Sequence, residues 1–383
     1  MNTRTIAVLF AMLTACTGSI GSTLDQTTEP DAPLTVGSGG SSGTGDDEVS
    51  LGTGGDEGVA SSSVATSASA STGSGEGTGS GGMSLPLACF DEPPAGTPEP
   101  PALVDDAGCP DVVAGSNTVD GRKFLVAVPS NLQPDERPPV VFLWHWLGGS
   151  AQSFFDKTSA QEAVDHYRFI AVSMESKGDL NQKWPFTILD SDARVTQELK
   201  FFDRTLACVN KTFSVNRHCV SSVGVSAGAL WTQVLASKRG KYLSSIESLS
   251  GGEGSQGVRG WGGSEHKMPA MVLWGGPTDN CLGVFSFEAL SKSLEKKLEN
   301  QGHFVVECVH NCGHSVPPFE PLPSSPTTFG VLWEFVLDHP LWLKGGESPW
   351  KKDGFPDGFP GWCGMGVGKA VPRTGPCKDK SQC

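Results

Sequence analysis

A serine set between two glycines, in Gly224-Val225-Ser226-Ala227-Gly228, is the residue of this 383-residue chain best placed for nucleophilic chemistry. The apolar run Val220–Val225 before it reads as a strand, and the residues after it read as a helix. Strand, sharp turn and helix with a serine at the turn form a nucleophile elbow, whose neighbours must be small because no side chain fits so tight a bend. Gly39-Gly40-Ser41-Ser42-Gly43 satisfies the same pattern, but it lies in a Gly/Ser-rich tract with no strand or helix around it and is set aside. A serine hydroxyl is a weak nucleophile until a base takes its proton. After such an elbow the partners follow in chain order, an acid and then a histidine, on loops at the carboxyl ends of later strands. Asp279 lies just past the run Met271–Trp274, and His314 just past Phe304–Val309. Ser226 would attack a carbonyl carbon, and His314 would serve first as base and then as acid. Asp279 would hold the imidazole in the productive tautomer. His310 is the rival base. It stands at the end of its strand, whereas His314 stands in the loop beside Gly313, where the chain can bend, and His314 is preferred. Asp279 has a plainer reading as a turn or helix-capping residue in Pro277-Thr278-Asp279-Asn280. His166, His218, His266, His303 and His339 are read as surface or packing residues.

A developing oxyanion needs two backbone N–H donors, one from the residue after the serine and one from the loop after an early strand. Ala227 supplies the first. The run Val140–Trp144 leads into His145-Trp146-Leu147-Gly148-Gly149-Ser150, where Leu147 is the expected second donor. The elements that must position these groups are legible as runs. Arg122–Val128, Val140–Trp144, Phe169–Met174, Val220–Val225, Ile246–Ser250, Met271–Trp274 and Phe304–Val309 are strand-like. Helix-like stretches fall near Gln152–His166, Asp192–Cys208, Ala227–Ser237, Phe285–Gln301 and Thr327–His339. Strands alternating with helices of this length imply an α/β fold with a mostly parallel central sheet and helices on both faces.

Over roughly Thr118–Val316 the chain resembles the feruloyl esterase and polyhydroxybutyrate depolymerase-like branch of the α/β-hydrolases. The likeness rests on Asp120-Gly121-Arg122-Lys123, on Leu143-Trp144-His145-Trp146-Leu147-Gly148-Gly149-Ser150-Ala151, on the elbow and on both partners of the serine. Members carry a glycine after the loop histidine, and this chain has Trp146. A positive φ at that position would strain a tryptophan and put the second oxyanion donor in doubt. Alternatively Trp146 forms one wall of an aryl or sugar subsite. Trp184 and Phe186 lie where related esterases place substrate-facing residues, so Trp184 is a second candidate contact, with core packing as the competing reading. His145 is expected to be structural, as the loop histidine of the family is.

The N-terminus is weakly basic at Arg4, then apolar over Ile6–Leu13, then reads Thr14-Ala15-Cys16. That is the pattern of an export signal. Leu13-Thr14-Ala15-Cys16 also resembles the lipobox of bacterial lipoproteins, which makes Cys16 the expected site of lipidation and residues 1–16 a lipoprotein signal peptide. The rival is an ordinary cleaved signal with an incidental cysteine. Residues 17–84 hold nine acids, no Lys or Arg, and little beyond Gly, Ser, Thr and Ala, so they are read as a disordered, hydrated tether. What remains, 85–383, has 33 acids against 27 bases, a mildly acidic balance with no sign of a nucleic-acid surface.

Ten cysteines remain beside Cys16, an even number that in an exported chain suggests disulfides. Cys281 with Cys312 would tie the acid loop to the histidine loop, Cys308 being the competing partner; Cys208 with Cys219 and Cys89 with Cys109 are the other candidate pairs. A zinc site from Cys308, His310, Cys312 and His314 is disfavoured, because its i, i+2 spacing is tighter than the usual ligand pattern. Residues 345–383, rich in Gly, Pro and Trp with Cys363, Cys377 and Cys383, read as an irregular extension stapled to the body.

Together with the export signal and the unfavourable zinc spacing, the resemblance implies an exported serine esterase working through an acyl-enzyme, with no cofactor and no metal. Its implied partners are an ester substrate and, through Cys16, a membrane facing the periplasm or cell surface, unless the protein is secreted. Hydroxycinnamate esters of plant polysaccharide are the expected substrate. Polyester chains of 3-hydroxybutyrate are the alternative. A catalytically impaired, surface-tethered binding lipoprotein is the reading of another class, invited by Trp146 alone.

Overall fold

A computed structural model describes residues 87–181, 183–281 and 283–378; the signal peptide, Cys16, the tether 17–84 and Cys383 lie outside the described residues. The strand-like runs assemble into one nine-stranded sheet in the order β1-β2-β4-β3-β5-β6-β7-β10-β11. Its strands are β1 (Gly115–Val119), β2 (Arg122–Ala127), β3 (Val140–Trp144), β4 (Ile170–Met174), β5 (Val220–Val225), β6 (Ser245–Leu249), β7 (Ala270–Trp274), β10 (Val305–Val309) and β11 (Cys363–Met365). The strands from β4 to β10 run parallel, β1 and β2 form an antiparallel margin, and β11 closes the other edge antiparallel to β10. A hairpin of β8 (Asn280–Cys281) and β9 (Phe285–Ser286) stands apart from the sheet.

Every residue of β3, β4, β6, β7 and β10 is buried, which is why β3 and β7 are continuously apolar instead of alternating, while β6 buries Ser245, Glu247 and Ser248 among its apolar residues. Side-chain period still sorts them. Val140, Phe142 and Trp144 enter one core with α3 (Asp192–Phe213), α4 (Ala227–Arg239) and α5 (Phe287–Asn300). Val141 and Leu143 enter the other with α1 (Ala151–Thr158), α2 (Ala160–Tyr167) and α6 (Gly330–Leu337). The stretch read as one helix near Gln152–His166 is therefore two. It breaks at Ser159, whose left-handed φ of 49° ends α1 before α2 begins.

The tail departs from the irregular extension expected of it. Its β11 adds an edge strand on which Cys363 lies opposite Cys308 of β10, and the two are bonded. Cys312 bonds Cys377, so the tail also crosses the histidine loop. Arg373 fastens it there, its backbone N–H donating to Val309 O at 3.0 Å and its guanidinium to Asn311 Oδ1 at 2.8 Å.

The expected pairings are thereby corrected. Cys281 is disulfide-bonded, but not to Cys312. Cys89 joins Cys219 and Cys109 joins Cys208, with Cα atoms 5.8 and 5.2 Å apart, in place of the sequence-near pairs. The reason is the path of the leading segment, which lies along the amino ends of the central strands. Asn216, in the turn before β5, there donates its side-chain amide to Cys89 O at 2.9 Å. Closing loops 130 and 99 residues long stabilises the fold by about 4–5 kcal/mol each in the chain-entropy picture. Among the described residues no helix is long and apolar enough to cross a membrane.

Two carboxyl groups meet beneath the tail. Glu295 of α5 is buried with Oε2 unpartnered, while Glu307 of β10 accepts the Ala370 N–H at 3.0 Å. Burial first, and the Glu307 charge second, push the Glu295 carboxyl up to about 8. The folded chain thus holds this proton more tightly than the unfolded one, whose glutamate titrates near ~4.3. Stability falls as pH climbs between those values, and the whole penalty is present above the folded one. Glu295→Gln should match the wild-type melting temperature near pH 4 and exceed it increasingly toward pH 9, as thermal unfolding followed by circular dichroism would show.

Candidate active site

Ser226 occupies the single-residue turn between β5 and α4, with φ 55° and ψ −117°, a conformation that L-residues rarely adopt. The two glycines around it are required by contact as much as by bending. A Cβ on Gly224 would lie 2.3 Å from Gly228 O, and one on Gly228 would lie 1.9 Å from Trp144 O. The helix therefore starts hard against the ends of β3 and β5. The Ser226 N–H donates to Leu249 O of the neighbouring strand at 2.9 Å, and Ser226 O accepts from Leu230 N–H at 3.0 Å.

The loops after β7 and β10 bring the other two groups to it. His314 Nε2 lies 2.9 Å from Ser226 Oγ, and His314 Nδ1 lies 2.8 Å from Asp279 Oδ1. Asp279 is fully buried. Its other oxygen, Oδ2, accepts the Ser250 hydroxyl and the Gly275 N–H, both at 2.7 Å. A buried carboxylate with three donors is compensated for lost hydration and has its plane fixed. The loops are also joined to each other. His310 N–H donates to Trp274 O and Gly313 N–H to Gly275 O, both at 3.0 Å, and a Cβ on Gly275 would stand 1.9 Å from Gly313 O.

The structure thus brings Ser226, Asp279 and His314 into one hydrogen-bonded chain. It places His310 elsewhere, fully buried, with Nδ1 accepting the Cys312 N–H at 3.1 Å. Burial pushes the His310 imidazole down to about 4, so it stays neutral. Two of the four side chains weighed as zinc ligands, Cys308 and Cys312, are oxidised in disulfides. Among the described residues no group of three or more His, Cys, Asp or Glu is arranged to hold a metal.

Ala227 is the first residue of α4, so its N–H has no partner within the helix. Leu147 is half-buried, and its N–H enters no hydrogen bond among the described residues. The left-handed residue of their loop is Gly148, at φ 76°, and Trp146 is not among the positive-φ positions. The strain feared at Trp146 is absent because the bend falls two residues further on. The Trp146 carbonyl accepts from Gly149 N–H at 3.0 Å and His145 Nδ1 at 2.9 Å. Its indole lies over Gly149, edge-on to Phe154, and is half-buried.

Trp184 requires correction. It is fully buried, edge-on to Trp144 at 5.2 Å, with its indole N–H donated to His145 O at 2.8 Å. The segment after β4 folds its large aromatics inward, Phe186 included, so Trp184 supports the loop of Trp146 and Leu147 and does not face the substrate space. Sequence reasoning missed Ser250 and Phe287. Phe287 stacks flat on His314, ring centroids 4.3 Å apart and planes 13° off parallel. The signals were thin: a serine closing a strand-like run and an aromatic opening a helix soon after the acid.

The sheet order, the elbow and this hydrogen-bonded chain give the protein the α/β-hydrolase fold with a serine–histidine–aspartate arrangement. No protein-family model matches the sequence. Among solved structures it is similar to native pOPH, at TM-score 0.53 and 15% identity over 68% of this chain and 96% of that one. It is also similar to native sOPH, at TM-score 0.52 and 17% identity over 69% and 98%. A ferulic acid esterase superposes less completely, at TM-score 0.42 and 14% identity over 53% and 91%.

An alkyl fluorophosphonate tests the geometry without assuming a substrate. Mass spectrometry should find the adduct on Ser226. His314→Asn should slow labelling by about 100-fold or more, in the range general-base assistance supplies, while His310→Asn should label at the wild-type rate.

Proposed function

We propose that this protein is a serine esterase that hydrolyses carboxylic esters through an acyl-enzyme. The observation that carries the reading is the unbroken chain from Asp279 through His314 to Ser226, with the serine on a strained elbow. In the first half-reaction Ser226 Oγ attacks the ester carbonyl while His314 Nε2 takes its proton. Asp279 keeps the Nδ1–H tautomer and stabilises the imidazolium. The tetrahedral oxyanion is received by the N–H groups of Ala227 and Leu147, which need not reorganise as charge develops. His314 then protonates the departing alcohol, and water repeats the sequence to release the acid.

We assign hydroxycinnamoyl esters of plant polysaccharide as the substrate, on the family resemblance and on Trp146, the half-buried aromatic of the loop that carries Leu147. Its face suits a phenolic acid or a sugar ring. The disulfides point to an oxidising compartment. We read residues 1–16 as the export signal, Cys16 as the lipidated anchor and 17–84 as the tether holding this domain away from the membrane.

The test is product release from methyl ferulate and from 3-hydroxybutyrate oligomers, with p-nitrophenyl acetate as general reporter, for protein prepared under oxidising conditions. Ser226→Ala should lower kcat by about 10⁴-fold or more, as loss of a triad nucleophile does. Ferulate should be the faster natural product. Faster release of 3-hydroxybutyrate would move the substrate to polyesters. A folded wild type no better than Ser226→Ala on every ester would sink the esterase reading in favour of a tethered binding protein.

A further inference from the structure

The contact between Phe287 and His314 is more specific than core packing requires. Phe287 opens α5 and is buried. Its backbone N–H donates to the Asp279 carbonyl at 2.9 Å, and its ring lies face to face with the His314 imidazole at 4.3 Å. One residue therefore holds the backbone of the acid and the plane of the base. Its placement is itself fixed, because Ser286 caps the helix through Ala289 N–H and is held in turn by Gln256, whose Oε1 accepts the Ser286 N–H at 2.7 Å.

We infer that Phe287 is a positioning residue for His314, fixing the imidazole plane and stabilising the imidazolium formed when Ser226 gives up its proton. The inference rests on the triad reading proposed above. The face of a phenyl ring carries negative electrostatic potential and attracts a cation within about 6 Å of its centroid. Neutral imidazole gains little from that potential. The imidazolium exists only as the tetrahedral state is approached, so the attraction favours the transition state over the ground state and enters kcat. The other groups facing the ring fit this division. Asp279 acts in the ring plane at Nδ1. His310, in the same loop, is kept neutral by burial and adds no opposing charge. Phe287 also covers one face of the imidazole, whose edge is already in hydrogen-bond contact with Ser226 Oγ.

The experiment uses the whole protein with p-nitrophenyl acetate, Ser226→Ala serving as the zero. Phe287→Leu should lower kcat about tenfold at nearly unchanged KM, a difference of about 1.4 kcal/mol in barrier. Phe287→Tyr should recover most of the loss. Because leucine also alters packing, the deciding series replaces Phe287 with mono-, di- and pentafluorinated phenylalanine. These substitutions withdraw charge from the ring face at nearly constant shape. A stepwise fall in kcat with fluorination, melting temperatures remaining near wild type, supports the inference. A flat series would overturn it and leave Phe287 as packing, with the esterase reading intact. Wild-type turnover equal to Ser226→Ala would remove the triad reading itself, and this inference with it.

Discussion

The approach of α4 to the ends of β3 and β5 is the constraint on which the rest of the site depends. The helix begins without a connecting loop, and its first turn meets the Trp144 carbonyl so closely that Gly228 has no room for a side chain. Ser226 absorbs the resulting bend at a φ of 55°. Strain of this kind costs roughly 1–3 kcal/mol and persists only where surrounding structure over-determines it. Here the over-determination is visible in the pairing of the Ser226 N–H with Leu249 O of β6, and in the edge-on contact of Trp144 with Trp231 of α4. The bend sets Ser226 at the head of the helix and leaves the N–H of Ala227 unpaired within it, so the serine and a free backbone donor are produced by one feature.

The partners of the serine are held by backbone more than by covalent staples. The loops after β7 and β10 stay joined by two backbone hydrogen bonds beyond the strand pairing, His310 to Trp274 and Gly313 to Gly275. Gly275 has to be glycine for that approach to occur. A disulfide between these loops would be redundant, and their cysteines are used otherwise. Cys312 reaches out to Cys377, so the covalent bond secures the tail against a loop whose shape the sheet has already set.

What could be read in the chain follows the same division. The elbow, the order of Asp279 and His314 and the central strands are local patterns whose strand and loop context singles out one reading, and Val140–Trp144 and Val220–Val225 coincide with β3 and β5. The disulfides were not legible, because pairing depends on where distant segments run. Cys89 and Cys109 are neighbours in sequence, yet their partners lie on either side of the turn into β5. Trp184 was open to both readings, since an aromatic in an irregular segment looks alike whether it faces solvent or core, and its burial selects the core. Ser250 and Phe287 became visible only in three dimensions, because each acts on a residue about thirty positions away or on another loop.

Trp146 shows why a departure from a family pattern has to be weighed by conformation. A glycine is needed in the oxyanion loop only at the residue that takes positive φ, and that residue is Gly148. With the bend there, the tryptophan keeps an ordinary backbone and accepts two hydrogen bonds through its carbonyl. Its side chain is free to fold over Gly149, a position that itself has little room for a Cβ because the indole lies 3.0 Å away. Trp184 supports the loop from beneath through His145 O, and His145, fully buried, holds it through Trp146 O. The tryptophan therefore sits in a loop held by Trp184 and His145, and the backbone strain that would have argued for an impaired site does not arise.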